Sequence, residues 1–115
     1  TGMSKSPITT HILDLGTGRP AANVAVSLST GDNGNWTLIA EGTTDADGRI
    51  TDWFEGPISS GLYRLEFATA SYFGAQDKAC FYPQVTLDFE VSDTDSHYHV
   101  PLLLNQWGYS TYRGS

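Results

Sequence analysis

Apolar and polar residues alternate with a period of two along most of the chain, and turn-forming residues break the alternation about every eight to twelve positions, the pattern of short strands half-buried in sheets. Ile8-Thr9-Thr10-His11-Ile12-Leu13 reads as a first strand, closed by the turn Thr17-Gly18-Arg19-Pro20. Val24 to Leu28 alternates cleanly, and Gly31 to Asn35 forms a hairpin-type loop before the returning strand Trp36 to Ala40. Asp45-Ala46-Asp47-Gly48 is a further turn, leading into the short strand Arg49-Ile50-Thr51. Leu62 to Phe67 places Tyr63, Leu65 and Phe67 on one face, and Val85, Leu87, Phe89 and Val91 alternate with polar residues. His97 to Leu104 and the Tyr- and Thr-rich stretch Gly108 to Arg113 complete the strands. Residues 68–79 lack the alternation, and a short helix is expected over 71–77. Seven or eight short strands in 115 residues predict an all-β chain folded as a β-sandwich.

Strand parity separates the faces. Tyr98, Val100, Leu102 and Leu104 share one face, the expected core side, while His97, His99, Pro101 and Leu103 share the other. In the first strand Ile8, Thr10 and Ile12 oppose Thr9, His11 and Leu13. All three histidines therefore fall on faces turned from the core, together with two leucines. A sheet that is apolar on both faces is normally covered on both, so a second subunit is expected to cover this one.

The length fits one domain over residues 1–115, with residues 1–6 expected to be loose and Thr1-Gly2 read as a tag remnant before Met3. Hydrophobic residues make up 39% and charged residues 17%, too apolar and too sparsely charged for a disordered chain. A net charge of −7 argues against nucleic acid, whose phosphates demand Lys and Arg, and against anionic membrane surfaces. No apolar run approaches the length of a membrane span. Cys80 is the single cysteine, which excludes an internal disulfide and a thiolate metal cluster and suits a reducing compartment. A cytoplasmic location is expected, or a periplasmic one where a leader has been cut away.

Three readings of the histidines compete. They are unrelated surface residues, the usual fate of any one histidine; or His97-x-His99 with His11 forms a three-histidine zinc site; or histidine acts as a metal-free general base, its pKa near 6.5 suiting neutral pH. Arg49 taken alone is a solvated turn residue or a partner for Asp45 or Asp47, and Tyr112-Arg113-Gly114-Ser115 taken alone is a frayed tail. Trp36, Trp53 and Trp107 read as core or interface packing. Asp45-x-Asp47-Gly48 lacks the remaining ligands of a calcium loop, and the chain has no nucleophile elbow and no phosphate loop.

Thr9-Thr10-His11-Ile12-Leu13-Asp14 followed by Thr17-Gly18-Arg19-Pro20-Ala21 resembles the opening of the transthyretin-like family. His97-Tyr98-His99-Val100-Pro101-Leu102-Leu103-Leu104 and Tyr109-Ser110-Thr111-Tyr112-Arg113-Gly114-Ser115 resemble its enzymatic branch, the 5-hydroxyisourate hydrolases. The likeness runs from Ile8 to Ser115. It implies two four-stranded sheets with one short helix, and a homotetramer, a dimer of dimers with its sites in the channel between dimers. It implies hydrolytic opening of the 5-hydroxyisourate ring without metal or cofactor. His11, Arg49 and His99 are the implied catalytic residues, and His97, Tyr112, Arg113, Gly114 and Ser115 line the substrate with His11 and Arg49. The rival class is a transthyretin-type carrier of a small aromatic ligand, whose passive apolar channel has no use for two histidines and an arginine.

Overall fold

The computed structural model describes residues 6–32 and 34–114. Two sheets enclose one hydrophobic core. One sheet is ordered β2-β1-β8-β9, from Arg19–Pro20, Ile8–Asp14, Tyr98–Leu104 and Tyr109–Thr111, with β5 (Arg49–Ile50) also paired to β1. The other is ordered β4-β3-β6-β7, from Asn35–Thr43, Ala25–Asp32, Gly61–Phe67 and Val85–Val91. The expected sandwich of two sheets with one short helix is therefore what the chain forms.

Parity holds in both sheets. Ile8, Thr10, Ile12 and Asp14 of β1 and Tyr98, Val100, Leu102 and Leu104 of β8 are each under 9% exposed. They meet Val26, Leu28, Tyr63, Leu65, Phe67, Val85 and Val91 from the facing sheet. Each such side chain contributes roughly 1.5–3 kcal/mol when removed from water, which makes the alternation and not intrinsic propensity the main determinant of register. β1 and β8 pair in parallel, Thr9 beside His99 and His11 beside Pro101, so the first strand of the chain lies against one of its last.

Several boundaries differ from expectation. The helix α1 spans Thr69–Gly74, two residues earlier at its start than expected. Thr69 is buried and its hydroxyl donates to the Tyr82 carbonyl at 2.6 Å, while Phe73 is only 1% exposed. Asp77, at φ 56°, ends the segment in a left-handed conformation. These are tertiary anchors with no periodic signature. His97 lies just outside β8 and is exposed, and β9 ends at Thr111. The expectation of a loose segment over residues 1–6 lies outside the described residues up to position 5. Ser6 is 1% exposed, with its hydroxyl donating to Phe54 O and accepting from the Trp53 and Phe54 amides.

Trp53 is half-buried and donates from Nε1 to the Ile8 carbonyl at 2.8 Å. Trp36 carries the Arg64 guanidinium 4.0 Å above its ring. Trp107, at 65% exposure, is not packed into the core of this chain. Among the described residues no helix is long and apolar enough to cross a membrane.

Candidate active site

The histidine face of the β1–β8 pair is built by register. His11 and His99 project from adjacent parallel strands, and their rings stand 6.5 Å apart between centroids at an interplanar angle of 24°. Thr9 shares that face, is 2% exposed, and its Oγ1 lies 2.8 Å from Nδ1 of His99 and 3.0 Å from Nε2 of His97. Pro101 is buried beside them, and Leu13 and Leu103 are half-buried around the rim.

Arg49 reaches this face through β5. The antiparallel pairing of β5 with β1 sets Arg49 directly across from His11 and Ile50 across from Thr10. Directly opposed residues of an antiparallel pair share a face. The turn that delivers Arg49 is tightly specified. The Asp45 carboxylate accepts from the amides of Asp47 and Arg49 at 2.9 and 3.0 Å. Gly48 has φ 72°, and a Cβ there would stand 2.5 Å from the Ile12 carbonyl oxygen. Only glycine lets the turn close onto β1, where the Gly48 carbonyl accepts from the Ile12 amide at 2.7 Å.

Burial lowers the pKa of His11 below its ordinary 6.5, and the Arg49 charge lowers it further. A hydrogen bond to the Asp47 main chain and the charges of Asp45 and Asp47 oppose this without reversing it. A neutral imidazole beside a guanidinium is a base paired with an anion-stabilising cation.

The C-terminal run divides. Gly114 forms a bridge with His99, its amide donating to the His99 carbonyl at 2.8 Å. A Cβ at position 114 would lie 2.6 Å from Cδ2 of the His99 ring, so the tail crosses the histidine at a distance only glycine allows. The Arg113 guanidinium, expected to line the substrate, sits in the single chain 4.4 Å from the centre of the Tyr98 ring, on the core side of β8. Register explains this, because a residue next to one that pairs with His99 must face the opposite way. Tyr112, 58% exposed, borders with Arg113 the opening between the sheet edges at β7 and β9, a cavity of about 390 Å³. The expected contribution of Ser115 lies outside the described residues.

The single chain thus brings His11, Arg49, His97, His99 and Gly114 together, with Arg113 on the core side of β8. Sequence reasoning missed Thr9. Alternation assigns it to the histidine face, but a threonine in a strand carries no chemical signal until two rings are seen to meet at its hydroxyl. Among the described residues no three or more His, Cys, Asp or Glu side chains converge as a metal-holding group; the Nδ1 of His99 and Nε2 of His97 converge on Thr9.

A two-sheet sandwich carrying a neutral histidine, a second histidine and an arginine on one outward strand face defines a hydrolase-type site on a transthyretin-like scaffold. The HIUase/Transthyretin family model matches residues 8–114, and the chain belongs to that family. It is 47% identical over 109 residues to the 5-hydroxyisourate hydrolase of Salmonella dublin, covering 94% of this chain and 80% of the relative. The solved 5-hydroxyisourate hydrolase of Klebsiella pneumoniae superimposes with a TM-score of 0.83 at 38% identity, covering 97% of this chain and all of that one. Transthyretin from Sparus aurata superimposes with a TM-score of 0.88 at 34% identity, covering 94% and 96%. The backbone fits the transthyretin at least as well as the hydrolase, so the backbone alone does not separate enzyme from carrier. The side chains on the histidine face do.

Proposed function

We propose that this protein hydrolyses 5-hydroxyisourate to 2-oxo-4-hydroxy-4-carboxy-5-ureidoimidazoline. The observation that carries the reading is the convergence of neutral His11, Arg49 and His99 on one outward face, in a chain whose relatives are named 5-hydroxyisourate hydrolases. His11 takes a proton from water as it attacks a ring carbonyl. Arg49 binds the oxygen-rich ring and offsets charge developing on the carbonyl oxygen through its fork of donors. Its charge supplies locally what a chain of net charge −7 lacks globally. His99 gives a proton to the departing ring nitrogen. These side chains provide base, acid and charge, so the chemistry requires no metal or cofactor. A carrier reading finds support in the backbone alone and leaves the histidines and arginine without a task.

The partially apolar surround of Leu13, Pro101 and Leu103 supports a homotetramer, a dimer of dimers, in which a second subunit covers this face and completes the site. Tyr112 and Ser115 would meet the substrate there. The free Cys80 supports a reducing compartment, the cytoplasm.

The test is an ultraviolet assay of freshly generated 5-hydroxyisourate against its spontaneous decay. The protein should accelerate the decay, and His11→Ala and His99→Ala should each lower kcat by at least about tenfold, since positioned general acid–base groups contribute ~10²–10⁴-fold. Failure of the unaltered protein to accelerate decay would overturn the function, and near-normal turnover by both variants would overturn the assignment of roles.

A further inference from the structure

His97 is exposed, Thr9 is 2% exposed, and His99 is half-buried beside His11. In the single chain the three form a line from the exposed end of this face, just outside β8, to the site, joined by hydrogen bonds of 3.0 and 2.8 Å at one hydroxyl. That hydroxyl has a single proton. It can donate to one ring nitrogen only and must accept from the other. So when Thr9 donates to Nδ1 of His99, Nε2 of His97 carries a proton and donates to Thr9. When Nδ1 of His99 donates, Thr9 donates to His97. The two imidazoles are locked into complementary states.

We propose that His97, Thr9 and His99 form a proton relay that supplies His99 with a proton at Nδ1 as it gives up the one on Nε2 during turnover. The inference rests on the hydrolytic reading above. In the starting state His97 is the imidazolium, Thr9 donates to Nδ1 of His99, and His99 holds its proton on Nε2. As the C–N bond breaks, the electron pair goes to nitrogen and the Nε2 proton of His99 follows it. The Thr9 proton moves to Nδ1 of His99, and the Nε2 proton of His97 moves to Oγ1 of Thr9. His99 ends neutral, Thr9 is again a hydroxyl, and the positive charge has left His97. One proton has passed from the exposed ring to the leaving nitrogen, and no imidazolate has formed. Once the product has left, Nε2 of His99 takes a proton from water, the Nδ1 proton passes back to Oγ1 of Thr9 and the Thr9 proton to Nε2 of His97, and the starting state returns. The proton that His11 removed from the attacking water returns to solvent, as does that of the new carboxylic acid. Overall one proton is released per ring opened, as hydrolysis to a carboxylate and a non-basic ureido nitrogen requires.

Thr9 and His97 touch no reacting atom in this scheme. They are positioning and relay residues, and their substitution should act on kcat and not on substrate binding. Thr9→Val keeps the shape of the side chain and removes the hydroxyl. Thr9→Ser restores the hydroxyl. His97→Ala alters an exposed position outside β8. Thr9→Val and His97→Ala should each lower kcat by about tenfold or more, within the range of general acid–base effects, with KM unchanged within about twofold. Thr9→Ser should be close to the unaltered protein. Imidazole added to the buffer should restore kcat to His97→Ala, after correction for buffer-catalysed decay, and should not restore Thr9→Val, whose gap is buried.

A readout independent of turnover is the nitrogen-15 spectrum of the histidine rings without substrate. His97 and His99 should show opposite protonation at Nε2 and Nδ1 respectively, and Thr9→Val should release that coupling. A Thr9→Val protein with normal kcat overturns the relay, as does one whose ring spectra match those of the unaltered protein, while the hydrolytic reading survives either result. A protein that leaves 5-hydroxyisourate to its spontaneous decay overturns the hydrolytic reading and the relay with it, whatever the ring spectra show.

Discussion

Burial and the Arg49 guanidinium act in the same direction on His11, and Asp45 and Asp47 act against them. The sign of the consequence is fixed. A histidine whose folded pKa lies below 6.5 stays neutral at pH values where a free histidine would be half protonated, so a base of this kind keeps working as the pH falls through 6.5. The folded form binds its proton later than the unfolded chain does, so the associated stability is complete above 6.5 and is lost as the pH drops through the lowered value. Arg49→Met removes one of the two depressing influences, the smaller one. The His11 pKa should rise, seen as an upward shift of its ring-proton titration by nuclear magnetic resonance, and the acid limb of kcat/KM should move up with it. An unchanged or lowered His11 titration would mean that Arg49 does not act on His11 across the β1–β5 pair. Little of this was legible in the sequence. Parity placed His11 and His99 on outward faces, because two-residue periodicity is written directly into the chain. Nothing local tied Arg49 to His11, since their pairing depends on how a distant turn folds back.

At the scale of elements, the site depends on short pieces of structure held by specific backbone geometry. β5 is two residues long, too short to be held by its own ladder, and its position is fixed by the Asp45 carboxylate and by the contact at Gly48. Gly48→Ala adds a Cβ at positive φ against a main-chain oxygen that cannot swing aside. The expected result is a loss of about 1–3 kcal/mol, the usual cost of a residue forced into a sparsely populated region, together with a fall in turnover as Arg49 is displaced. Denaturant midpoints and the 5-hydroxyisourate assay measure the two separately. A variant equal to the parent in both would show that the turn is not what positions Arg49. The same local geometry explains where element boundaries were hard to read. The long alternating strands were legible almost to the residue, whereas α1 is set by Thr69, Phe73 and Tyr82 meeting across a loop. The direction of Arg113 followed from a bridge between His99 and Gly114 that no pattern of residues announces.

For the whole molecule, the informative feature is a sheet whose outer face carries leucines beside its functional residues. Leu13 and Leu103 are half-buried in one chain, and in the proposed tetramer they face a second subunit. Leu103→Glu places a charge in that contact without touching His11, Arg49 or Thr9. Its expected effect is a fall in assembly mass by light scattering, accompanied by a drop in turnover of about tenfold or more, since positioning that is lost with the subunit contact weakens acid–base catalysis as a whole. A variant that remains tetrameric and fully active would place the contact elsewhere. The doubly apolar strand was visible from parity alone, and it argued for a cover; the identity of that cover came from family resemblance, because a sequence records that a surface is apolar and not what lies on it.

The parallel pairing of β1 with β8 also has a consequence in time. Thr9 and His99 are 90 residues apart, and they become neighbours only when a late strand docks on an early one. At about 5–20 residues per second, synthesis of that interval takes on the order of 5 to 20 seconds. Throughout that time a nascent chain carries His11 but has no second imidazole to set beside it. Catalytic competence is therefore withheld from every partly made chain, and its appearance reports that the sheet has been closed from both ends.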